Sequence, residues 1–505
     1  MATVLTLHGI NFADGSTNKL ISNINGIFRV YNSSTQNWDS VGSFPFTSGT
    51  LIDSTNFLNH AFFVNGTDSN LSYNSSGTWS ASTNLGDSPK GKYIEHYDVR
   101  LYILNVVIRG TSYRSRIWYS DLPKNGAITW GLETGTNLAQ TAASAVVTSA
   151  GSTFITNNIK VGDPFTIESG TNAGEYTVRT IDSETQITLT AALTNTTTNS
   201  NFWVGGNFID VETDDGDVLT GVGKNSNELV FFKRLSLHRY SSRSGTLRRV
   251  REIPGTGSFR SIVNSDAYTY YHDPTTMAIR RYDGSDSIVI SNAIEDLLEN
   301  MDSSMIDNVV GWETDGKLIE WYIGTTTTRD GQTVSNCVIS FDTTIEGWSS
   351  RSLPWAIEQS AEWVQSSQPK TFLATDSAKC LKVADGYKYD TTDIAFFLQD
   401  RPIFPVAPDI LVDITKIRVF TENGHDLQLA YRMLYTIESE STGNRTHTEW
   451  NTLKGSSNAD MVEFIIPEGK PRRGGGIEIR FIQSSGTESF LLEKYVVYYA
   501  NASIL

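Results

Sequence analysis

Short runs of β-branched and aromatic residues recur along the chain, punctuated by Gly, Asn, Asp and Ser. The clearest lies in residues 98–131, DVRLYILNVVIRGTSYRSRIWYSDLPKNGAITWG. A first apolar run over 99–108 is followed by a break at Gly110. A second, 113–120, alternates by two: Tyr113, Ser115, Ile117 and Tyr119 share one face, and Arg114, Arg116 and Trp118 the other. The stretch from Asp121 to Gly126 has turn chemistry, and Thr129-Trp130 ends the unit. This pattern predicts an antiparallel hairpin, because side chains on a pleated strand point alternately to its two faces.

Looser copies of the unit fill most of the chain. Residues 1–24 read as an arm or first strand. GIFRVYNSSTQNWD and HAFFVNGTDSNLSYNSSGTWS each join an apolar strand to a Ser/Asn turn closed by Trp38 or Trp79. Trp38, Trp79 and Trp130 lie 41 and 51 residues apart, a spacing that suits one four-stranded propeller blade per repeat. Residues 217–241, 247–253, 259–263 and 268–284 give further strands and hairpins. One helix is expected where Ile294, Leu297, Leu298 and Met301 fall at i, i+3, i+4 and i+7, with Ser291 or Asn292 as cap and acidic residues in the first turn. Residues 309–324, 334–341, 348–354, 362–374 and 380–389 add more strands, for six or seven blade-sized units.

Two stretches break this rhythm. From 137 to 207 the chain has its own strands and turns, with Val161-Gly-Asp-Pro164 before one strand, a turn at 170–174, and alternating strands at 176–181 and 186–189. It reads as a small β domain inserted between two body strands, projecting as a surface for partners, since loops of rigid bodies tolerate insertions. The prolines of RPIFPVAPD, 401–409, mark a second boundary, because proline cannot donate to a strand ladder. Longer strands follow at 410–420, 427–436, 461–466, 476–482 and 489–499. The expected fold class is therefore all-β: a propeller-like body at 1–136 and 208–404, an inserted β domain at 137–207, and a C-terminal β-sandwich at 405–505.

Composition narrows the function. The chain has 505 residues, enough for two to four domains, and 39% are hydrophobic, enough for folded cores. Its net charge is −16, which argues against a sequence-reading DNA binder, for such proteins present a basic surface to phosphate. An acidic wall would still let DNA slide past without gripping it. Two cysteines, Cys337 and Cys380, make no disulfide framework and are expected as buried thiols. The N-terminal residues lack the pattern of a secretory signal, and no apolar run reaches the length of a membrane span. Seven Asn-x-Ser/Thr sequons are what so much Asn, Ser and Thr produces by chance.

The phrases RLYILN with SRIWYSDLPKNGAITWG, then DGDVLTGVGKNSNELVFFKRLSLHRY, then AYTYYHDPTTMAIRRYDGSDSIVISNAIEDLL carry a resemblance. They resemble the tail hub, or nozzle, proteins of short-tailed bacteriophages, over 98–131 and 210–298. The resemblance implies a propeller body in a hexameric ring around the DNA exit channel. Portal and adaptor proteins would sit above it, and tail fibre, spike or needle proteins below. It also implies a structural virion protein of the phage tail, assembled in the bacterial cytoplasm, that needs no cofactor, performs no catalysis and passes DNA without reading it.

Other stretches offer candidate chemistry. Asp210, Glu212 and Asp214 have the odd-position spacing of a calcium loop, but Asp215 stands where that loop needs Gly and Gly221 where it needs Glu. The stretch then reads as a strand and an Asp-Asp-Gly turn. Asp121, Gly126 and Trp130 approach the Asp-box of sialidase-type propellers with too long an Asp-to-Gly spacing. A carbohydrate-acting propeller enzyme is accordingly the alternative function, with a non-catalytic receptor-binding propeller as a third. The seven histidines form no zinc motif, and no nucleophile elbow or phosphate loop is present. Arg239, Arg243, Arg248, Arg249 and Arg251 make a basic run in an acidic chain, and KPRRGGG places Arg472 and Arg473 at a hairpin tip. Arg248, Arg249, Arg472 and Arg473 are the candidate partner contacts.

Overall fold

The computed structural model describes residues 5–12, 18–32, 34–35, 37–41, 46–81, 85, 88–124, 126–225, 228–265, 267–328, 331, 333–365, 368–377, 380–383, 388–389, 392–393, 396–399, 403, 411–422, 427–435, 446–454, 461–483 and 491–501. The proline-rich boundary at 401–409 lies outside them apart from Ile403. The described chain is nearly all β, in many small antiparallel sheets, and divides into two units: Met1–Gly316 with Ile357–Cys380, and Lys317–Ala356 with Leu381–Leu505.

In the first unit, consecutive strands pair with their neighbours. Leu5–Ile10, Lys19–Ile24, Ile27–Asn32 and Asn37–Ser40 form the first sheet; Asp53–Phe57, His60–Val64, Leu71–Asn74 and Trp79–Ser80 form the second. The third holds Tyr93–Tyr97, Arg100–Ile108 and Thr111–Tyr119, and Phe208–Asp210 completes it from beyond the inserted segment. Leu219–Lys224, Leu229–Lys233, Leu237–Ser241 and Thr246–Val250 make the fourth. Val263–Asn264, Thr269–Asp273, Ala278–Tyr282 and Ser287–Val289 make the fifth. Val310–Thr314 follows, and then Ile357–Gln365 paired with Gln368–Thr375.

Trp38 and Trp79 both sit on the outermost strand of their sheet. Trp130 does not: it lies after the third strand of its sheet, and its carbonyl accepts the Trp118 indole N–H at 2.7 Å. The regular tryptophan spacing therefore stops at the insertion. Residues 259–263, expected as a strand, are a 3-10 turn, Phe259–Ser261, ending in the two-residue strand Val263–Asn264. The Ser261 and Ile262 amides bond back to the carbonyls of Ser258 and Phe259, which takes them out of a ladder.

The first strand of each sheet meets the first strand of the next. Asn56 Nδ2 donates to the Gly9 carbonyl at 3.3 Å, and Asp53 Oδ2 accepts the Ile94 amide at 2.9 Å. Lys224 Nζ reaches Glu95 at 3.1 Å, while its amide donates to Asn264 Oδ1 at 2.9 Å. Ser258 Oγ donates to the Val309 carbonyl at 2.8 Å, and Ser360 Oγ to Gly311 at 2.8 Å. The Val364 amide then donates to Asn11 Oδ1 at 3.2 Å, so the succession returns to its start. Gly9 permits that closure, since a Cβ there would lie 1.6 Å from the Glu362 carbonyl oxygen.

Apolar side chains from successive sheets fill the layers between them. Phe28, Phe63, Leu71 and Tyr73 share one cluster of the first two sheets, and Tyr102, Leu104, Ile117, Leu219, Leu229 and Phe231 share one of the third and fourth. At about 25 cal/mol per Å2, each such aromatic side chain contributes a few kcal/mol of the driving force.

The insertion is a closed six-stranded barrel of Glu133–Gln140, Val146–Ser149, Gln186–Leu189, Gly174–Ser183, Pro164–Ile167 and Thr197–Val204. Phe154, Phe165 and Phe202 fill its interior, and closure leaves it no open strand edge. The expected helix is shorter than its pattern. A 3-10 turn, Asn292–Ile294, leads into Glu295–Glu299, and Ile294, Leu297, Leu298 and Met301 are all buried. Neither expected cap is used. Ser291 Oγ instead accepts the Ile279 amide at 3.0 Å, a strand partner that outcompetes the helix end.

The second unit contains the meander Leu318–Thr327, Thr333–Asp342 and Gly347–Ser352. It also has two sheets that share one core. One is built on Leu427–Tyr435 and Gly476–Gln483, the other on Val412–Glu422 with Met461–Ile465 and Leu491–Asn501. Alternate residues, Val412, Ile414, Ile417 and Val419 from one and Leu429, Tyr431, Met433, Ile477, Ile479 and Phe481 from the other, form that core.

Candidate functional site

The acidic stretch 210–217 borders an open cleft of about 530 Å3, lined by Asp210, Glu212, Thr213, Asp214, Asp215 and Arg249. Of the four carboxylates lining the cleft, Asp210, Glu212 and Asp215 each have a cation from another strand. Arg116, directly opposite Asp210 in the ladder, grips it through Nε at 2.7 Å and Nη2 at 2.8 Å. The same guanidinium lies 3.8 Å from the Phe208 ring centre and 4.4 Å from that of Tyr113. Lys233, with no exposed side-chain surface, donates to both oxygens of Asp215 at 2.8 Å and to the Glu212 carbonyl at 2.6 Å. Burial pushes the Asp215 carboxyl up, but hydrogen bonds from Lys233 and the Asp217 amide outweigh it and hold the group below its ordinary value. Arg249 Nη1 reaches Glu212 Oε2 at 3.0 Å. His238, hydrogen-bonded to Ser236 Oγ at 3.0 Å, is driven down to about 4 mainly by burial and is neutral at pH 7. With three of its acids paired to cations, the stretch is a strand followed by a partly charge-paired turn. Among the described residues no three His, Cys, Asp or Glu side chains cluster as metal ligands.

The four arginines expected to face partners are placed differently from one another. Arg249 is committed to Glu212 within the chain. Arg473 faces Asp413 at 3.4 Å, and Arg472 comes within 3.9 Å of Glu468, both in the second unit. Arg248 is exposed, and its strand neighbour across the ladder is another arginine, Arg239. Two like charges side by side on one face disfavour each other, and Arg239 turns aside to donate to the Gly284 carbonyl at 2.9 Å. Arg248 and Arg249 belong to the first unit, and Arg472 and Arg473 to the second.

Asp121, the acid of the Asp-box-like stretch, is buried and fully engaged. It accepts from Thr129 Oγ1 at 2.8 Å, Asn207 Nδ2 at 3.0 Å and Lys160 Nζ at 3.1 Å. Burial pushes its carboxyl up, and these hydrogen bonds, with one from Asn158, more than reverse that. Nothing in the spacing marks Lys160 or Asn207, which are 39 and 86 residues from Asp121.

No sequence motif marks a second cluster of ionisable groups. Asp53 and Glu95 lie on neighbouring first strands. Burial drives Asp53 up to about 7, with the Glu95 charge adding to it against the Ile94 and Ser54 amides. Burial also raises Glu95, but Lys224 and His96 overcome it and bring the group to about 2. Further round the succession, Arg260 Nη2 donates to Asn308 Oδ1 at 2.9 Å and Nη1 to the Glu358 carbonyl at 2.6 Å. Neither thiol is poised for chemistry, for burial pushes Cys337 and Cys380 up to about 12.

No protein-family model matches the chain, and no curated protein matches it. Among solved structures, the computationally designed Ika8 protein aligns over 76% of this chain and 96% of its own, with 9% identity and a TM-score of 0.33.

Proposed function

We propose that the protein is a structural component of a short-tailed phage virion, the tail nozzle or hub. Its body would be a propeller of six or seven blades, and copies of the chain would close into a ring, hexameric by the resemblance, below portal and adaptor proteins. The ring would surround the DNA exit channel and hold fibre, spike or needle proteins. The second unit would contribute a β-sandwich.

The observation that carries this reading is where the resembling phrases fall. In chain order they coincide with the strands of the third, fourth and fifth sheets, including the Arg100–Ile108 and Thr111–Tyr119 hairpin and the four-strand run from Leu219 to Val250. They are phrases of the frame, and hydrogen bonds link the successive sheets of the first unit in a closed succession. A frame of that kind supplies broad faces for burial against neighbours, as ring closure requires. The barrel, inserted between the third and fourth strands of the third sheet, suits a projecting contact module.

The test is assembly. Purified protein mixed with portal and adaptor proteins of the same phage is imaged by negative stain. A six-fold ring seated on the portal is the expected outcome, and a monomer under every assembly condition refutes the reading. Net acidic or neutral residues are expected along the ring's channel; a strongly basic lining would refute unhindered passage of DNA.

A further inference from the structure

We propose that Lys160 and Asn207 form an intramolecular isopeptide bond, assisted by Asp121, that covalently fastens the barrel to the strand leading back to the third sheet. Lys160 lies on the barrel segment before Pro164–Ile167, and Asn207 immediately precedes Phe208–Asp210. Lys160 Nζ is 3.1 Å from Asn207 Oδ1, against the carboxamide that would be attacked. One carboxylate oxygen, Asp121 Oδ1, accepts from both Lys160 Nζ at 3.1 Å and Asn207 Nδ2 at 3.0 Å. The entering and leaving nitrogens therefore share a single proton carrier. That double contact also sets which end of the Asn207 amide faces the lysine. Asn207 and Asp121 are both buried, at 4% and 7% exposure, and the Tyr119 amide holds the Asn207 backbone carbonyl at 2.9 Å, which fixes the main chain that carries the carboxamide.

The step balances without any co-reactant. Asp121 takes a proton from the Lys160 ammonium, and the freed amine pair attacks Cγ of Asn207. Asp121 returns that proton to Nδ2 as the Cγ–Nδ2 bond breaks. The remaining surplus proton leaves with the ammonia as ammonium, Asp121 ends as a carboxylate, and a neutral Nζ–Cγ amide remains. Lys160 is half-exposed and starts charged, so the amine is reached only through the tautomer in which Asp121 holds the proton. This makes the reaction slow, but it runs once per chain. Fixed neighbours react with effective molarities on the order of 10^5 M or more, which offsets a rare reactive tautomer. The bond would join residues 47 positions apart, Lys160 and Asn207, and keep the barrel attached under load.

The test is the intact mass of the denatured full-length protein, followed by peptide mapping. The expected mass is lower than the encoded one by one ammonia, about 17 Da. A cyclic imide at an Asn-Gly pair loses the same mass, so mapping must recover a branched peptide joining Lys160 to Asn207. Lys160→Arg, which keeps the charge, and Asp121→Asn, which removes the base, should each restore the encoded mass around position 207 and abolish the branched peptide. Full encoded mass after prolonged incubation at pH 7 to 9, or an ammonia loss without the branched peptide, overturns the proposal.

Discussion

Removing Asp215 should harm the fold more than removing its partner Lys233. The Lys233 ammonium has no exposed surface, whereas the Asp215 side chain keeps 26% of its own. In Asp215→Ala the ammonium stays buried with one carbonyl, that of Glu212, as its remaining partner. Leaving one member of a buried pair uncompensated costs about 3–5 kcal/mol; the partial exposure of Asp215 admits water and puts the expectation at the lower end, about 3 kcal/mol. Lys233→Met keeps the length of the apolar stem and removes the charge. Asp215 then turns to water and retains the Asp217 amide, for an expected cost of about 1 kcal/mol. The double variant should cost no more than about 1–2 kcal/mol, because the stranded charge is gone. Urea unfolding of the four proteins, followed by tryptophan fluorescence, reads these differences as midpoint shifts. If Asp215→Ala shifts the midpoint no more than Lys233→Met, or the double variant is the worst of the three, Lys233 is not held by this carboxylate and the reasoning fails.

Gly9→Ala should lower the melting temperature by several degrees, because its Cβ would overlap the Glu362 backbone rather than a movable side chain; an unchanged melting curve would mean the closure is looser than drawn. Asp53, raised in the fold to about 7, favours the folded state fully below its ordinary value near 4 and loses that contribution as pH rises through 7. Asp53→Asn should therefore flatten the decline in stability between pH 5 and 8, and an unaltered profile would exonerate Asp53. Glu95 has the opposite sign: brought down to about 2, its contribution is present above its ordinary value and disappears as pH falls toward 2. If the chain assembles into a ring, Arg248→Glu should weaken assembly at least tenfold by mass photometry without altering the monomer's melting, while Arg249→Glu should destabilise the monomer through Glu212; equal effects on both readouts would remove Arg248 from the interface.

The hairpin of Arg100–Ile108 and Thr111–Tyr119 was legible because its apolar residues alternate and its breaks carry turn chemistry. Its one irregularity, a register shift between Leu104 and Val106 with Asn105 at φ 55°, leaves no mark in such a pattern. The first strands of the sheets were harder. Asp53–Phe57, DSTNF, is mostly polar, because its side chains bond to the neighbouring first strands instead of filling an apolar layer. Barrel closure was hidden for another reason: Glu133–Gln140, ETGTNLAQ, has little strand character alone and is held by pairing with Thr197–Val204, some sixty residues away. The acidic run from Asp210 to Asp217 is plain in the sequence, but the cations that pair with it, Arg116, Lys233 and Arg249, come from three other strands. Lys160, Asn207 and Asp121 show the same limit, since convergence of distant residues is a property of the fold.

The bond between Val364 and Asn11 joins residues 353 positions apart. On a ribosome adding about 5–20 residues per second, the strand Leu5–Ile10 would wait roughly 20–70 s after emerging before its final neighbour is made. Through that interval the nascent chain carries an unsatisfied seam, Gly9 included, that any extended segment could occupy. Slow or stalled translation between positions 11 and 357 should therefore raise the yield of aggregated product more than the same delay after 365, where the seam partner already exists.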